Sequence, residues 1–150
     1  MVEDGRSTMT THAQDPAAVV RRLIEATNRH DLPSMLACFA PDYRNETPVH
    51  PSRGFLGREQ VRRNWMQIFA AVPDLQTRVL DSAVVADEVW TEQEHHGTRA
   101  DGTPHVIRGV VIFRVAGDMV THARFYLEPL DVSSGGVDEA VRRHATGELR

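Results

Sequence analysis

Three polar residues at alternate positions, Thr91, Gln93 and His95, lie in a run that begins as a strand should, with Val89 and Trp90. Side chains alternate faces along a strand, so these three share one face, and Glu92, Glu94 and His96 share the other. A half-buried strand normally turns one apolar set inward; here neither set is apolar. A second polar pair, Tyr43 and Asn45, is spaced two apart in the short extended segment YRNE. An imidazole titrates near neutral pH and serves as general base or acid. A phenol can donate a hydrogen bond to a carbonyl or developing enolate, and two carboxamides can orient substrate or water. The plainer reading of His95 is a core imidazole with satisfied nitrogens. For Tyr43 and Asn45 it is a phenol closing the core and an amide bonding loop backbone.

Other chemistries find little support. His95 and His105 lie on adjacent strands without an inward carboxylate, and no helical or turn spacing suits zinc, so no metal is expected. No serine nucleophile motif, phosphate loop or dinucleotide fingerprint occurs, and no cofactor is needed. The single cysteine, Cys38, is flanked by Leu36, Ala37 and Phe39 and reads as a buried structural thiol of a reducing compartment. A net charge of −4 over 150 residues argues against nucleic acid. No apolar run has the length of a signal peptide or membrane span, so a soluble cytoplasmic protein is expected.

The elements that must carry these residues follow from pattern. Residues 1–14 are polar and aperiodic and are expected to be disordered. Asp15-Pro16 opens a helix with a cap and a proline at its first position, and Val19, Val20, Leu23 and Ile24 follow at helical spacing. Asp31 caps a second, short helix through Met35, Leu36 and Phe39, which Pro41 ends. A third helix carries Val61, Trp65, Ile68, Phe69 and Val72 as one apolar stripe up to Pro73. Four strands follow at about 75–85, 88–99, 105–116 and 119–129, with turn chemistry at Asp101-Gly102 and Gly117-Asp118. Helices first and sheet afterwards give an α+β fold, helices packed on the concave face of a curved antiparallel sheet. The domain is expected over 15–130, with 131–150 a linker and a short helix at Val137–His144.

The last two strands orient the sheet. One set in 105–116 carries Arg108 and Arg114, and one in 119–129 carries Val120, His122, Arg124 and Tyr126; unpaired buried charge is costly, so these sets face away from the helices. Glu92 and Glu94 then belong outside, opposite Arg108, Arg114 and Arg124. Thr91, Gln93 and His95 turn inward toward Val111, Phe113, Phe125, Trp65 and Phe69. A greasy wall with a few placed polar groups describes a pocket for a small apolar molecule.

With NRHDLPSMLACFAPDY, GREQVRRNW and RFYLEP in this order of elements, residues 16–130 resemble the nuclear transport factor 2-like superfamily in its SnoaL-like branch. The resemblance implies a cone-shaped, cystatin-like roll around a cavity, and in many members a homodimer through the outer sheet face. It covers steroid isomerases, polyketide cyclases, epoxide hydrolases, dehydratases and inert binding or partner domains. The steroid isomerases' tyrosine falls at Leu23, their base near Thr47 and their protonated aspartate near Val111, so none is retained. Tyr43 and Asn45 match the water-holding pair of limonene-type epoxide hydrolases. The relay of those enzymes falls near Gln93, His95 and Phe125 and is not retained; the cyclases' acid-base aspartate, also near Phe125, is absent.

The expected site therefore has His95 and Tyr43 as catalytic groups. Asn45, Gln93, Thr91, Trp65, Phe69, Val111, Phe113 and Phe125 are expected to bind substrate. The expected function is cofactor-free acid/base chemistry on a small apolar carbonyl or epoxide compound: isomerisation, cyclisation, dehydration or hydration. A non-catalytic binder and a partner domain are the alternatives, and fold analogy alone does not separate the three.

Overall fold

A computed structural model describes residues 15–133 and 135–148; the expected disorder of 1–14 lies outside the described residues. The first helix, α1 (Pro16–Asn28), starts where the sequence places it: the Asp15 side chain accepts from Ala17 N at 3.2 Å. Its buried stripe of Val19, Val20, Leu23 and Ala26 faces the sheet. The second, α2 (Leu32–Ala37), is capped by Asp31, whose carboxylate takes both the Ser34 amide and hydroxyl. This helix stops two residues earlier than its pattern suggests. Phe39 already belongs to β1 (Phe39–Glu46), which runs straight through Pro41. The strand tolerates the proline because its pairing is irregular between Phe39 and Arg44, where no ladder amide is required.

A turn at Pro51–Arg53 and the two-residue β2 (Phe55–Leu56) lead into α3 (Arg58–Ala71), which presents Val61, Trp65 and Phe69 to the core. The remaining strands are β3 (Gln76–Val85), β4 (Glu88–Thr98), β5 (Pro104–Ala116) and β6 (Met119–Pro129), and α4 (Val137–Thr146) follows. The six strands form one curved, unclosed sheet in the order β2-β1-β6-β5-β4-β3. Every neighbouring pair is antiparallel except β1 and β6, which are parallel. Helices α1, α2 and α3 cover one face of this α+β roll. The fourth, α4, leaves Val137 and Val141 exposed.

Curvature depends on local irregularities that period-2 reading does not detect. A bulge at Thr121 shifts the register between Arg114/His122 and Val115/Val120. Val120, expected outside, is thereby turned inward and is fully buried. Gly109 adopts φ 152°, and a Cβ there would lie 1.9 Å from the Tyr126 carbonyl oxygen, so β5 and β6 approach at a distance only glycine permits. Gly97 plays a smaller part: its missing Cβ leaves room for Val72 and Asp74 at the end of α3.

The outer face carries the ion pairs in a different arrangement from that expected. Glu94 bridges Arg78 at 2.8 Å and Arg108 at 2.7 Å, and Glu88, not Glu92, takes Arg114 at 3.0 Å and Arg124 at 3.2 Å. Register explains this: Glu88 lies opposite Arg114 and Glu94 opposite Arg108, whereas Glu92 faces Val110 and Asp81. The arginine bonds hold both the Glu88 and Glu94 carboxyls below the usual range.

Candidate functional site

The inward face of β4 carries a directional chain of hydrogen bonds. Thr91 Oγ1 donates to the Val111 carbonyl at 2.8 Å, and Gln93 Nε2 donates to Thr91 Oγ1 at 2.9 Å. Gln93 Oε1 is then turned toward His95, with Nε2 of the ring 2.8 Å away. A carbonyl oxygen only accepts, so His95 Nε2 must carry the hydrogen, and a neutral ring then keeps its lone pair on Nδ1. Burial, reinforced by His105 and then His96, pushes the His95 pKa down to about 4, so the ring is neutral at pH 7. The three polar residues do not equally contact a cavity: Thr91 and Gln93, each 2% exposed, fix the tautomer of the third.

His95 lines a cavity of about 370 Å³ between α3 and the sheet, within the range of small-molecule sites. Trp65, its ring centre 6.2 Å from that of His95, forms one wall, and Phe39, Phe55, Ile68, Leu75, Phe125 and Leu127 supply most of the remaining apolar lining. Tyr43 and Asn45 also reach it, as expected from their spacing. The Tyr43 hydroxyl, however, donates to Asn45 Oδ1 at 2.8 Å, and burial drives its pKa upward. The phenol proton is therefore engaged within the protein, and the group left to donate into the cavity is Asn45 Nδ2. In this structure the Tyr43 hydroxyl is bonded to Asn45, whereas the sequence reading has it donating directly to substrate.

A narrower chamber of about 30 Å³ continues inward, bounded by Leu23, Met35, Phe39, Thr77, Gln93, His95, Phe113 and Phe125 among others. Thr77 is the directly paired neighbour of His95 across β3 and β4. Its backbone is clamped by Asn28, whose side chain donates to Thr77 O at 2.9 Å and accepts from Thr77 N at 2.7 Å. Its hydroxyl, buried in this chamber, has no hydrogen-bond partner among the described residues.

Of the residues expected from sequence, His95, Tyr43, Asn45, Trp65 and Phe125 line the main cavity, and Gln93 and Phe113 line only the inner chamber. Thr91, Val111 and Phe69 line neither. Val111 is fully buried behind the wall, and Phe69 stacks on His30 with ring centres 4.1 Å apart, supporting Trp65 from behind. The sequence does not single out Arg53 and Asn64 at the rim, nor Thr77 within; Thr47, also at the rim, is marked only as the position near which the steroid isomerases' base falls. Arg53 and Thr47 lie in the Pro/Gly-punctuated segment, which has no periodicity to reveal a facing side. Thr77 was legible in principle as the residue paired with His95, but only once a bulge between Val79 and Asp81 is known. A wider depression of about 480 Å³ lies against β2, but it is lined by the strand edge and loop, including Arg44, Glu46 and Pro48, and does not reach His95. Among the described residues no group of three or more metal-ligating side chains is gathered. No helix among them is long and apolar enough to cross a membrane.

The comparisons agree with this architecture. Wild-type IdmH of Streptomyces antibioticus, a candidate polyketide cyclase, superposes with a TM-score of 0.68 at 23% identity, covering 77% of this chain and 93% of that one. Rv0760c of Mycobacterium tuberculosis, solved with estradiol-17β-hemisuccinate, gives 0.66 at 22% identity, over 79% and 96%. A computationally designed 17-OHP binder gives 0.65 at 24% identity, over 79% and 95%. At these identities the likeness is one of fold. Among proteins of curated function none matches in sequence. The sequence model of the SnoaL-like domain matches residues 20–123, more than half of the chain, and this protein belongs to that family within the nuclear transport factor 2-like superfamily.

Proposed function

We propose that the cavity takes a small, largely apolar molecule and that the protein acts on it as a cofactor-free enzyme of the isomerase, cyclase, dehydratase or hydratase type. The observation that carries this reading is the hydrogen-bond chain from the Val111 carbonyl through Thr91 and Gln93 to His95. A packed histidine satisfied at both nitrogens would have no lone pair to offer, whereas here only Nε2 is bonded among the described residues and Nδ1 keeps the lone pair a base needs. Here His95 Nδ1 would remove a proton from a bound carbonyl or epoxide compound, or from water beside it. Asn45 Nδ2 would donate to an oxygen that gains charge. That two fold relatives take small molecules, a steroid hemisuccinate and 17-OHP, supports a ligand-binding role for this fold.

A non-catalytic binder is the second reading. It is favoured by the Tyr43–Asn45 bond, which withdraws the phenol from acid chemistry, and by the absence, among the described residues, of any carboxylate from the lining of the main cavity. Thermal shift of wild type and His95→Gln against apolar carbonyl compounds, lactones, steroids and epoxides tests the proposal. A compound at about a hundred times its Kd stabilises by about 2.7 kcal/mol, which is readily seen. Turnover of a hit that vanishes in His95→Gln supports the enzyme; binding with no turnover in wild type supports the binder. No hit across the set removes the small-molecule reading and leaves a partner domain.

The outer sheet face is proposed to join two copies. Trp90 and Tyr126 stand on it 42% and 37% exposed, amid the satisfied Glu94 and Glu88 ion pairs. Aromatic side chains beside neutralised charges suit a homodimer surface.

A further inference from the structure

The polar groups of the main cavity share a bias that composition alone does not predict. Among the described residues no carboxylate lines this cavity, while Arg53, His95 and His105 do. Two carboxylates outside the lining are engaged elsewhere: Glu128 with His50 at 2.8 Å and Asp74 with the Thr98 amide at 2.7 Å. The two carboxamides are biased in the same direction. Asn45 Oδ1 is taken by the Tyr43 hydroxyl and Asn64 Oδ1 by Gln60 Nε2 at 2.7 Å, so each amide has its nitrogen left to donate. Arg53, on the turn before β2, has no side-chain partner among the described residues. The rim is therefore rich in free donors and poor in acceptors, around an apolar interior.

We propose that the cavity selects a small apolar acid, its carboxylate received by Arg53 and His105 and its hydrocarbon body by the aromatic wall around Trp65. This rests on the reading of the cavity as a ligand site and narrows it to a substrate class. A planar guanidinium matches a carboxylate through two parallel hydrogen bonds. A lining with a single guanidinium and few other donors suits a monoanion better than a phosphate, which is usually met by several backbone amides or a cluster of cations. With the carboxylate held there, the ligand's far end is directed inward, toward the acceptor nitrogen of His95.

The chain has two tryptophans, and Trp90 is on the outer sheet face, so Trp90→Phe leaves Trp65 as the sole indole reporter of cavity occupancy. Cyclohexanecarboxylic acid and 4-phenylbutyric acid, each titrated against its own primary amide at pH 7.5, separate charge from shape. The expected result is a Kd at least tenfold lower for each acid than for its amide, an advantage that shrinks at high salt. Arg53→Gln should remove that advantage and leave amide affinity unchanged, and Arg53→Lys should restore part of it. Amides binding as tightly as acids, or Arg53→Gln weakening both alike, would overturn the acid selectivity while leaving the cavity as a ligand site. If neither series perturbs Trp65 saturably, the selectivity and the ligand-site reading fall together.

Discussion

Because His95 is largely withdrawn from solvent and neutral at pH 7, acid should destabilise the protein through this one ring by an amount that can be worked out in advance. Its pKa is about 4 in the folded chain, and an unperturbed histidine in the unfolded chain titrates near 6.5. The folded-state pKa is depressed, so the full stability is present above about pH 6.5. It falls as the unfolded chain takes up a proton that the buried ring refuses, and levels off below about pH 4. Between pH 7.5 and pH 5.0 the unfolded state is favoured by a factor of roughly 30 and the folded state gains almost nothing. The loss from His95 alone is about 2 kcal/mol, at about 1.4 kcal/mol per factor of ten. His105, also lowered by burial, contributes with the same sign but is present in every variant. The assay is urea unfolding of wild type and His95→Gln at pH 7.5, 6.5, 5.5 and 5.0. Glutamine has similar reach, can donate to Gln93 Oε1 and cannot titrate. Wild type should lose about 2 kcal/mol more than the variant across this window. Equal pH dependence in the two proteins would show that His95 charges freely in the folded state, and the argument for a neutral base would fail.

Three further predictions rest on separate features. Thr77→Val removes a buried hydroxyl without a partner and should raise ligand-free stability by about 1 kcal/mol in urea unfolding; a loss instead would show that the hydroxyl is satisfied by water. Gly109→Ala places a Cβ against the Tyr126 carbonyl at a backbone angle alanine avoids, and should cost about 3 kcal/mol or prevent folding, with little change in midpoint counting against the close approach. Trp90→Glu puts a charge on the exposed outer face, so sedimentation velocity should show a monomer where wild type is a dimer; a monomeric wild type would end the dimer proposal.

Much of the architecture can be read from the chain because its signals are local. Asp15-Pro16 and Asp31 mark helix starts by capping chemistry, and the stripe from Val61 to Val72 marks a face by period alone. The inward phase of β4 also followed from sequence, because the arginines of β5 and β6 identify the outer side. Residues whose position depends on irregular backbone were not legible. Val120 reverses face at the Thr121 bulge, and Pro41 lies within a strand because pairing there is broken. The cavity wall is divided similarly. Tyr43, Asn45 and His95 were found from spacing, but Thr91 and Val111 share their faces and still lie behind the wall, because sheet curvature decides which inward residues reach the opening. Arg53 and Asn64 come from a loop and a helix flank whose approach to the sheet no periodicity encodes. Hydrogen-bond direction is likewise a three-dimensional property: the sequence contains Gln93 and Asn45, but only their neighbours determine which end of each amide is free.

Nitrogen NMR of the imidazole measures directly whether His95 presents an unprotonated Nδ1 to a ligand in the cavity. In uniformly 15N-labelled protein at pH 7, with His95→Gln used to assign the signal, the ring should be the Nε2–H tautomer. Its Nδ1 should shift markedly when the tightest-binding compound of the panel saturates the cavity. A ring protonated on Nδ1, a charged imidazolium, or a spectrum unmoved by a saturating ligand would contradict the reading of His95 as a neutral base.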